Sequence, residues 1–207
     1  MPKQPDDIKL SILILSIPER IEKLTKLYER LSEQITGDNV EILTLMDNKS
    51  FHIYEKRNEL LDMARGEYIC FVDDDDWIDR GFVPSVLSVM DDKPDVITFK
   101  QHCNYNNKPF DVVFSINHNW DPMDQLSYNY GAQKYNDIKR PPFHMCPFRS
   151  DISKSERFRE KYDEMGQSCE DADWLLRLYP KVKTEAFIDA TLHHYIYNSD
   201  TTESILK

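Results

Sequence analysis

One segment carries the strongest structural signal in this chain: Tyr68-Ile-Cys-Phe-Val-Asp-Asp-Asp-Asp-Trp77. Mostly apolar residues run directly into four consecutive aspartates. A short apolar run that ends at a turn signal is typical of a buried strand. The aspartates therefore follow the carboxyl end of a strand, and open α/β sheets bind their ligands at that end. We predict an acidic ligand site there.

The spacing of the aspartates predicts a bound cation. Side chains alternate along an extended segment, so Asp73 and Asp75 are expected to point the same way. Two carboxylates that close repel each other, and hard oxygen ligands suit Mg²⁺, Mn²⁺ or Ca²⁺ better than zinc. Because Mg²⁺ takes its other ligands from phosphates and water, a nucleotide diphosphate is the expected partner. The alternative is a solvated acidic loop.

Length and composition predict a single α/β domain. The chain has 207 residues, of which 40% are hydrophobic, enough for a core of its own. Acidic residues number 37 and basic residues 26, which gives a net charge of −11. That balance disfavours nonspecific binding to nucleic acid or to an anionic membrane surface. We expect one domain over residues 1–207, which is also compatible with the catalytic domain of a longer protein.

Cysteine usage and the N-terminus indicate a reducing compartment. The four cysteines have no paired short spacing, so neither a zinc knuckle nor a disulfide framework is predicted. Cys70 lies inside the apolar run and is expected to be a small buried hydrophobe. The N-terminus has no apolar run typical of a signal peptide, and no stretch reaches transmembrane length. We therefore expect a soluble, cytoplasmic protein without a membrane span.

Apolar runs and helical spacing predict alternating strands and helices in the first half of the chain. The predicted strands are residues 10–17, 40–46, 68–72 and 95–99; the predicted helices are residues 21–35, 53–65 and 82–90. This order predicts right-handed crossovers and parallel pairing. We assign residues 8–100 to a nucleotide-binding half.

The second half, residues 101–200, is less regular and is assigned to the acceptor side. Further strands are predicted at 112–116, 185–188 and 191–197; a partly helical stretch is predicted at 148–162, and a helix is expected to begin at Ser168 as N-cap and to end at Pro180. Residues 118–140 are predicted to be a long functional loop. Tyr128 and Tyr130 could stack on a sugar or be ordinary surface aromatics. Acceptor choice is expected within residues 118–150.

The order of segments resembles glycosyltransferase family 2, whose members have the GT-A fold. The matching segments are Ser11-Ile-Leu-Ile-Leu-Ser-Ile-Pro18, Arg57-Asn58, Ala64-Arg-Gly-Glu-Tyr-Ile-Cys-Phe-Val-Asp-Asp-Asp-Asp76, Glu170-Asp171 ahead of Trp174, and a histidine followed by a tyrosine near the C-terminus. The resemblance spans about residues 8–200. It implies a Rossmann-like, mostly parallel central sheet flanked by helices, with a small C-terminal acceptor-side region. The chain departs from the family pattern after Pro18, where Tyr-Asn is usual, and at Asp47-Asn48, where Asp-Asp is common.

The resemblance implies a role for each matching residue. The implied nucleotide-binding residues are Ser16, Ile17, Pro18, Asp47, Arg57, Asp73 and Asp74. The implied metal ligands for Mn²⁺ or Mg²⁺ are Asp75, Asp73 and one of His193 and His194, which alternate faces on a predicted strand. Asp171 is the implied catalytic base, with Glu170 beside it as the second candidate. Asp47 would bind the uracil edge.

These roles imply an inverting, metal-dependent transfer of a sugar from a UDP-sugar to a hydroxyl of a glycan or another acceptor. A cation at Asp75 would neutralise the leaving diphosphate, and a carboxylate opposite it would accept the proton of the attacking hydroxyl. Attack on one face and departure from the other inverts the anomeric centre.

Each assignment has a simpler alternative. Glu170 and Asp171 could merely complement a helix dipole, Arg57 could be a solvated helix residue, and Asp47 could start a turn. A nucleotidyltransferase is an alternative function, although the loop after the first predicted strand lacks the glycines that its phosphate loop requires. A non-catalytic carbohydrate- or calcium-binding module is another alternative, and it would need no base at Asp171.

Overall fold

Strands and helices alternate through the first half of the molecule, as predicted. The structure, a computed structural model, describes residues 8–105, 107–119, 137–162, 166 and 168–197. The strands are β1 (Leu10–Ser16), β2 (Val40–Met46), β3 (Tyr68–Phe71), β4 (Trp77–Ile78), β5 (Val96–Tyr105), β6 (Lys108–Phe114), β7 (Asp137–Arg140), β8 (Phe148–Arg149) and β9 (Glu185–Tyr197). The helices are α1 (Ile21–Ser32), α2 (Ile53–Met63), α3 (Phe82–Ser88), α4 (Ser150–Ser153) and α5 (Glu170–Leu178).

The strands form one mixed sheet with the order β2-β1-β3-β8-β5-β6-β7. β1 pairs in parallel with both β2 and β3, and β9 pairs in parallel with β5, so the longest ladders are parallel. The short strand β8 lies between β3 and β5 and is antiparallel to both. The sheet confirms the predicted fold class, an α/β domain with a mostly parallel central sheet of the GT-A type.

Burial explains why these segments form these elements. Every residue of β1 and β3 is buried, as expected for strands covered on both faces. Helix α1 buries Leu24, Leu27 and Leu31 at helical spacing. Ile21, predicted on the same face, is about half exposed. The helix ends at Ser32, before Gly37.

An aromatic cluster fixes helix α5 against the end of β3. Trp174 of α5 stacks on Phe158 with ring centroids 4.5 Å apart, and Phe71 meets the Phe158 ring edge-on at 5.4 Å. Phe148 of β8 completes the contact with Trp174 at 5.9 Å. Each buried aromatic contributes roughly 1.5–3 kcal/mol. This packing brings the start of α5 next to the aspartates that follow β3.

Several element boundaries differ from the prediction. The two strands expected at 185–188 and 191–197 are one strand, β9, whose register against β5 shifts after Thr98 pairs with Phe187. β5 extends well beyond residue 99 because β6 and β9 pair with its second half. Residues 137–140 form β7 where a loop was predicted. Residues 120–136 of that loop, including Tyr128 and Tyr130, lie outside the described residues.

The predicted cap of α5 is also wrong. Cys169 occupies the N-cap position and makes no side-chain capping bond. The Ser168 hydroxyl donates to the Glu170 carboxylate. After Leu178 the chain continues as a 3₁₀ turn over Tyr179–Lys181, which contains Pro180. Residues 148–162 are partly helical, as predicted, through α4.

Two predicted absences concern disulfides and membrane spans. The four cysteines all lie within the described residues, and none of them forms a disulfide bond. Among the described residues, no helix combines the length and the apolar character needed to cross a bilayer.

Candidate active site

The four aspartates form a turn at the carboxyl edge of the sheet. We call residues Asp73–Asp76 the acid turn. The backbone N–H of Asp76 donates to the carbonyl oxygen of Asp73 at 3.1 Å, which closes the turn. The prediction that these residues are extended is therefore wrong. Because β1, β2 and β3 are parallel, their carboxyl ends meet at this edge, as predicted.

Asp74 attaches the acid turn to the end of β1. Its carboxylate accepts a hydrogen bond from Ser16 Oγ at 2.7 Å and another from Arg20 Nη1 at 2.8 Å. Both Asp74 oxygens therefore bind groups of the protein, and its side chain is buried. Residues Ile17 and Pro18, predicted to line the base pocket, lead from β1 into a 3₁₀ turn over Pro18–Arg20.

Asp75 is a carboxyl group of the acid turn whose ionised form is destabilised. Burial and the negative charge of Asp73 raise the pKa of Asp75 to about 6, although Arg20 opposes the shift. Arg20 Nη1 lies 3.1 Å from Asp75 Oδ2, and Lys23 Nζ lies 4.0 Å from it. The side chain is 28% exposed. The Asp75 carboxylate is thus partly exposed to solvent, and Arg20 and Lys23 only partly offset its repulsion by Asp73.

Asp73 is the carboxylate that joins the acid turn to the rest of the site. Its side chain is 35% exposed, and its oxygens lie 3.5 Å from His144 Nε2 and 3.6 Å from Arg57 Nη2. Burial alone would raise the pKa of Asp73, but the charges of His144 and Arg57 outweigh it and hold that pKa well below its usual range. Asp73 is therefore ionised at neutral pH.

His144 bridges the acid turn and the start of α5. Its Nδ1 lies 3.2 Å from Asp171 Oδ2, while Nε2 faces Asp73. Burial lowers the pKa of His144, but the charge of Asp73 and the contact with Asp171 outweigh it and raise the pKa to about 9. Sequence reasoning assigned His144 no role. The only signal was its place in the proline-stiffened segment 141–147.

Arg57 is buried and binds Glu170 at the start of α5. Its Nε donates to Glu170 Oε1 at 3.1 Å, and its guanidinium lies over the rings of Phe71 and Phe158. Only 2% of Arg57 is exposed, so the alternative that it is a solvated helix residue is wrong. Glu170 is buried as well, whereas the Asp171 side chain is 22% exposed. Of the two carboxylates, Asp171 is the one that a substrate can reach.

The two histidines of β9 lie in different surroundings. His193 is fully buried, with Nε2 3.2 Å from Asp76 Oδ2 and Nδ1 3.0 Å from Gln101 Nε2. The His194 ring lies 6.0 Å from that of His102. Burial and the two neighbouring histidines lower the pKa of His194. Of the pair, His193 is the one that contacts the acid turn.

Asp47 shapes the loop after β2. Its carboxylate accepts from Lys56 Nζ at 2.6 Å and from the backbone N–H of Phe51 at 2.9 Å. Burial would raise the pKa of Asp47, but these bonds and the Lys56 charge lower it to about 2. Asp47 therefore organises a turn, which was the alternative role given to it above. Its contact with uracil stays a prediction.

A cation would find partial support here. No group of three or more His, Cys, Asp or Glu side chains within the described ranges is already arranged around a metal position. Asp75 and Asp73 nevertheless offer hard carboxylate oxygens, and their mutual repulsion is the kind that a divalent cation relieves. The donor chemistry of the acid turn fits Mn²⁺ or Mg²⁺.

Comparisons with known proteins agree with this architecture. The chain is 32% identical over 81 residues to "Putative glycosyltransferase EpsH" of Bacillus subtilis (strain 168), covering 36% of this chain and 22% of EpsH. The crystal structure of S. aureus TarS 1–349 in complex with UDP-GlcNAc superimposes with a TM-score of 0.61 at 17% identity, covering 93% of this chain and 59% of that one. A second TarS structure gives a TM-score of 0.59 at 15% identity, covering 92% of this chain and 37% of the other.

These relatives are longer than this chain, which spans less than two thirds of each. The TarS structures share the fold. The family model described as Glycosyl transferase family 2 matches residues 47–155, which is more than half of the chain and includes the acid turn and His144. The chain belongs to glycosyl transferase family 2.

Proposed function

We propose that this chain is the catalytic domain of an inverting glycosyltransferase that moves a sugar from a UDP-sugar to a hydroxyl group of a glycan or another acceptor. One observation carries the proposal: the acid turn and the start of α5 face the same site and are joined through His144. The first element suits a diphosphate with its cation, and the second suits a general base. Transfer from a nucleotide sugar requires both.

Asp171 is the proposed base. Burial would raise the pKa of Asp171, but His144 and Arg57 outweigh it and lower that pKa, so the carboxylate is free to accept a proton at neutral pH. Proton transfer to a positioned base contributes typically 10²–10⁴-fold to rate. Glu170 is the weaker candidate because Arg57 and Ser168 already hold its two oxygens.

Asp75 and Asp73 are the proposed ligands of Mn²⁺ or Mg²⁺, with His193 as the better placed of the two histidines. The bound cation would neutralise negative charge on the departing diphosphate. Arg20 and Lys23 add positive charge beside Asp75 and are suited to attract the same diphosphate.

The nucleotide is proposed to lie across the ends of β1 and β2. The backbone of Ser16, Ile17 and Pro18 borders this edge on one side and the Asp47 loop on the other. Solved TarS structures contain UDP-GlcNAc and UDP, which supports a uridine nucleotide as the donor of a protein with this fold. The proposal leaves the donor sugar and the acceptor open.

A thermal-shift screen of nucleotide sugars with and without Mn²⁺ tests the donor. A ligand at 100 times its Kd stabilises the fold by about 2.7 kcal/mol, so the true donor should stand out when Mn²⁺ is present. If no uridine nucleotide shifts the melting temperature, the proposed donor class is wrong.

Asp171→Asn tests the catalytic role in the same protein. We expect unchanged UDP affinity and a transfer rate lower by about 10²–10⁴-fold, because the base is lost while the donor site is kept. Asp173→Asn is the matched control, since Asp173 lies in the same helical turn but pairs with Arg177. A normal transfer rate in Asp171→Asn would assign the base to another residue. Wild-type protein that binds UDP and transfers no sugar would instead favour a non-catalytic binding module.

A further inference from the structure

We propose that His144 is a positioning residue that holds Asp171 in the orientation needed for catalysis and fixes its place relative to the acid turn. The inference rests on the proposed function, because it gives His144 a role in the proton transfer assigned to Asp171. It places a residue of the segment that precedes β8 between the acid turn and the start of α5.

The geometry of the imidazole ring carries the proposal. His144 is only 5% exposed, and its two nitrogens face two different carboxylates, Asp73 and Asp171. Asp73 follows β3, whereas Asp171 lies in the first turn of α5. One rigid ring therefore sets the separation between the group proposed to meet the donor and the group proposed to activate the acceptor.

The backbone around His144 holds the ring firmly in place. The carbonyl oxygen of His144 accepts a hydrogen bond at 2.9 Å from the N–H of Phe71, which lies two residues before Asp73. Cys146 N–H donates to the Phe143 carbonyl at 2.9 Å, and Tyr179 Oη donates to the Pro142 carbonyl at 2.9 Å. A group that positions a catalytic side chain must itself be locked by its surroundings, and this segment meets that condition.

The contact with Asp171 is close but not yet a well-formed hydrogen bond. Nδ1 lies 3.2 Å from the Asp171 oxygen, yet it is buried without a properly aligned hydrogen-bond acceptor. Catalytic hydrogen bonds are often poorly aligned before substrate binds and tighten in the complex.

A purely structural role predicts different behaviour. Loss of a buried ring that only fills space and balances charge would lower the free energy of unfolding and leave kcat of the folded protein unchanged. A positioning residue acts through Asp171, so its loss should have little further effect once Asp171 is gone. The two roles are therefore separated by a double-mutant cycle.

The experiment compares wild type, His144→Ala, Asp171→Asn and the double variant in the full chain. We expect His144→Ala to lower kcat by about 10²-fold, as a misplaced catalytic group does, while the Kd for UDP changes by less than about threefold. The double variant should match Asp171→Asn. Independent, multiplicative losses, or a loss confined to the Kd for UDP, would overturn the proposal.

Two conservative variants extend the test and replace His144→Ala if that variant fails to fold. The amide nitrogen of Asn lies near the position of Nδ1, and that of Gln lies near the position of Nε2. His144→Asn should therefore restore a larger share of kcat than His144→Gln. The reverse order would show that the contact with Asp73 matters instead. If wild-type protein transfers no sugar from any UDP-sugar, both the proposed function and the role of His144 are overturned. If wild-type protein transfers sugar but the His144 variants do not behave as expected, only the role of His144 is overturned.

Discussion

The two edges of the sheet treat buried carboxylates in opposite ways. At the amino edge, where β1, β2 and β3 begin, Glu41 accepts bonds from Ser11 Oγ at 2.7 Å, from the Arg65 N–H at 2.7 Å and from the Arg65 guanidinium. These donors outweigh burial and lower the pKa of Glu41. At the carboxyl edge, burial and like charge raise the pKa of Asp75 to about 6.

Asp95 repeats the pattern of the amino edge. It precedes β5 and accepts backbone bonds from Lys183 at 2.7 Å and from Thr184 at 3.0 Å, together with a bond from Arg149. The amino edge thus pairs each of these carboxylates fully and gains stability from them. The carboxyl edge keeps charge that the protein alone does not satisfy, which is typical of functional sites.

The largest expected effect is at the amino edge, at Gly66. A Cβ at this position would lie 2.5 Å from the Ser11 backbone nitrogen and 2.7 Å from the Tyr68 carbonyl oxygen. Because neither backbone can yield without breaking the β1–β3 ladder, Gly66→Ala should destabilise the fold by about 3 kcal/mol or more. Urea unfolding measures this loss. Gly37→Ala is the matched control, since its Cβ would come no closer than 3.4 Å to a neighbouring atom. Equal stability of the two variants would contradict the tight packing described at Gly66.

The intermediate effect is expected at Glu41. Glu41→Gln should lower the free energy of unfolding at pH 7 by about 2 kcal/mol, because it removes charge-assisted bonds from buried donors. Since the folded pKa of Glu41 lies below its unfolded value, this stability is present above pH 4.5 and is lost as the pH falls through the folded pKa. Unfolding measured at pH 7 and at pH 4 should therefore show a smaller difference at the lower pH. A stabilised Glu41→Gln would erase the distinction between the edges.

The smallest effect, and one of opposite sign, is expected at Asp75. Its folded pKa of about 6 exceeds the unfolded value of 3.8, so the destabilisation grows as the pH rises from 3.8 to about 6 and is complete above that range. It is absent at lower pH, where the group is neutral in both states. Asp75→Asn should raise stability at pH 7.5 by on the order of 1 kcal/mol, because the loss of the Arg20 contact offsets part of the gain. The gain should vanish near pH 4. Melting temperatures measured across this pH range test the prediction. Asp92→Asn is the control, because it alters an exposed carboxylate. A lower melting temperature of Asp75→Asn at pH 7.5 would show that the charge of Asp75 stabilises the fold.

The elements of the first half could be predicted from sequence because each one follows from a local pattern. The leucines of α1 and the apolar runs of β1 and β3 determine their own structure through spacing and burial. The position of the acid turn followed from the predicted strand over residues 68–72, which ends directly before Asp73. The family resemblance then supplied the roles of residues that no periodicity could assign.

The contacts between distant segments could not be predicted in this way. His144 reaches Asp73 and Asp171 only because β8 inserts between β3 and β5, which is a property of the topology. Arg20 was missed for the same reason, since its partners lie in another segment of the chain. The conformation of Asp73–Asp76 was predicted wrongly because four consecutive aspartates are compatible with both a turn and an extended segment.

The shortness of β8 has a mechanical consequence for the whole domain. Within the described part of the chain, this two-residue strand joins the half of the sheet that ends in β3 to the half that begins at β5, through Phe148 paired with both Ile69 and Val96. His144 lies four residues ahead of Phe148 on the same stiff segment. The pairing that holds the two halves of the sheet together therefore also fixes the segment that carries the imidazole ring between Asp73 and Asp171.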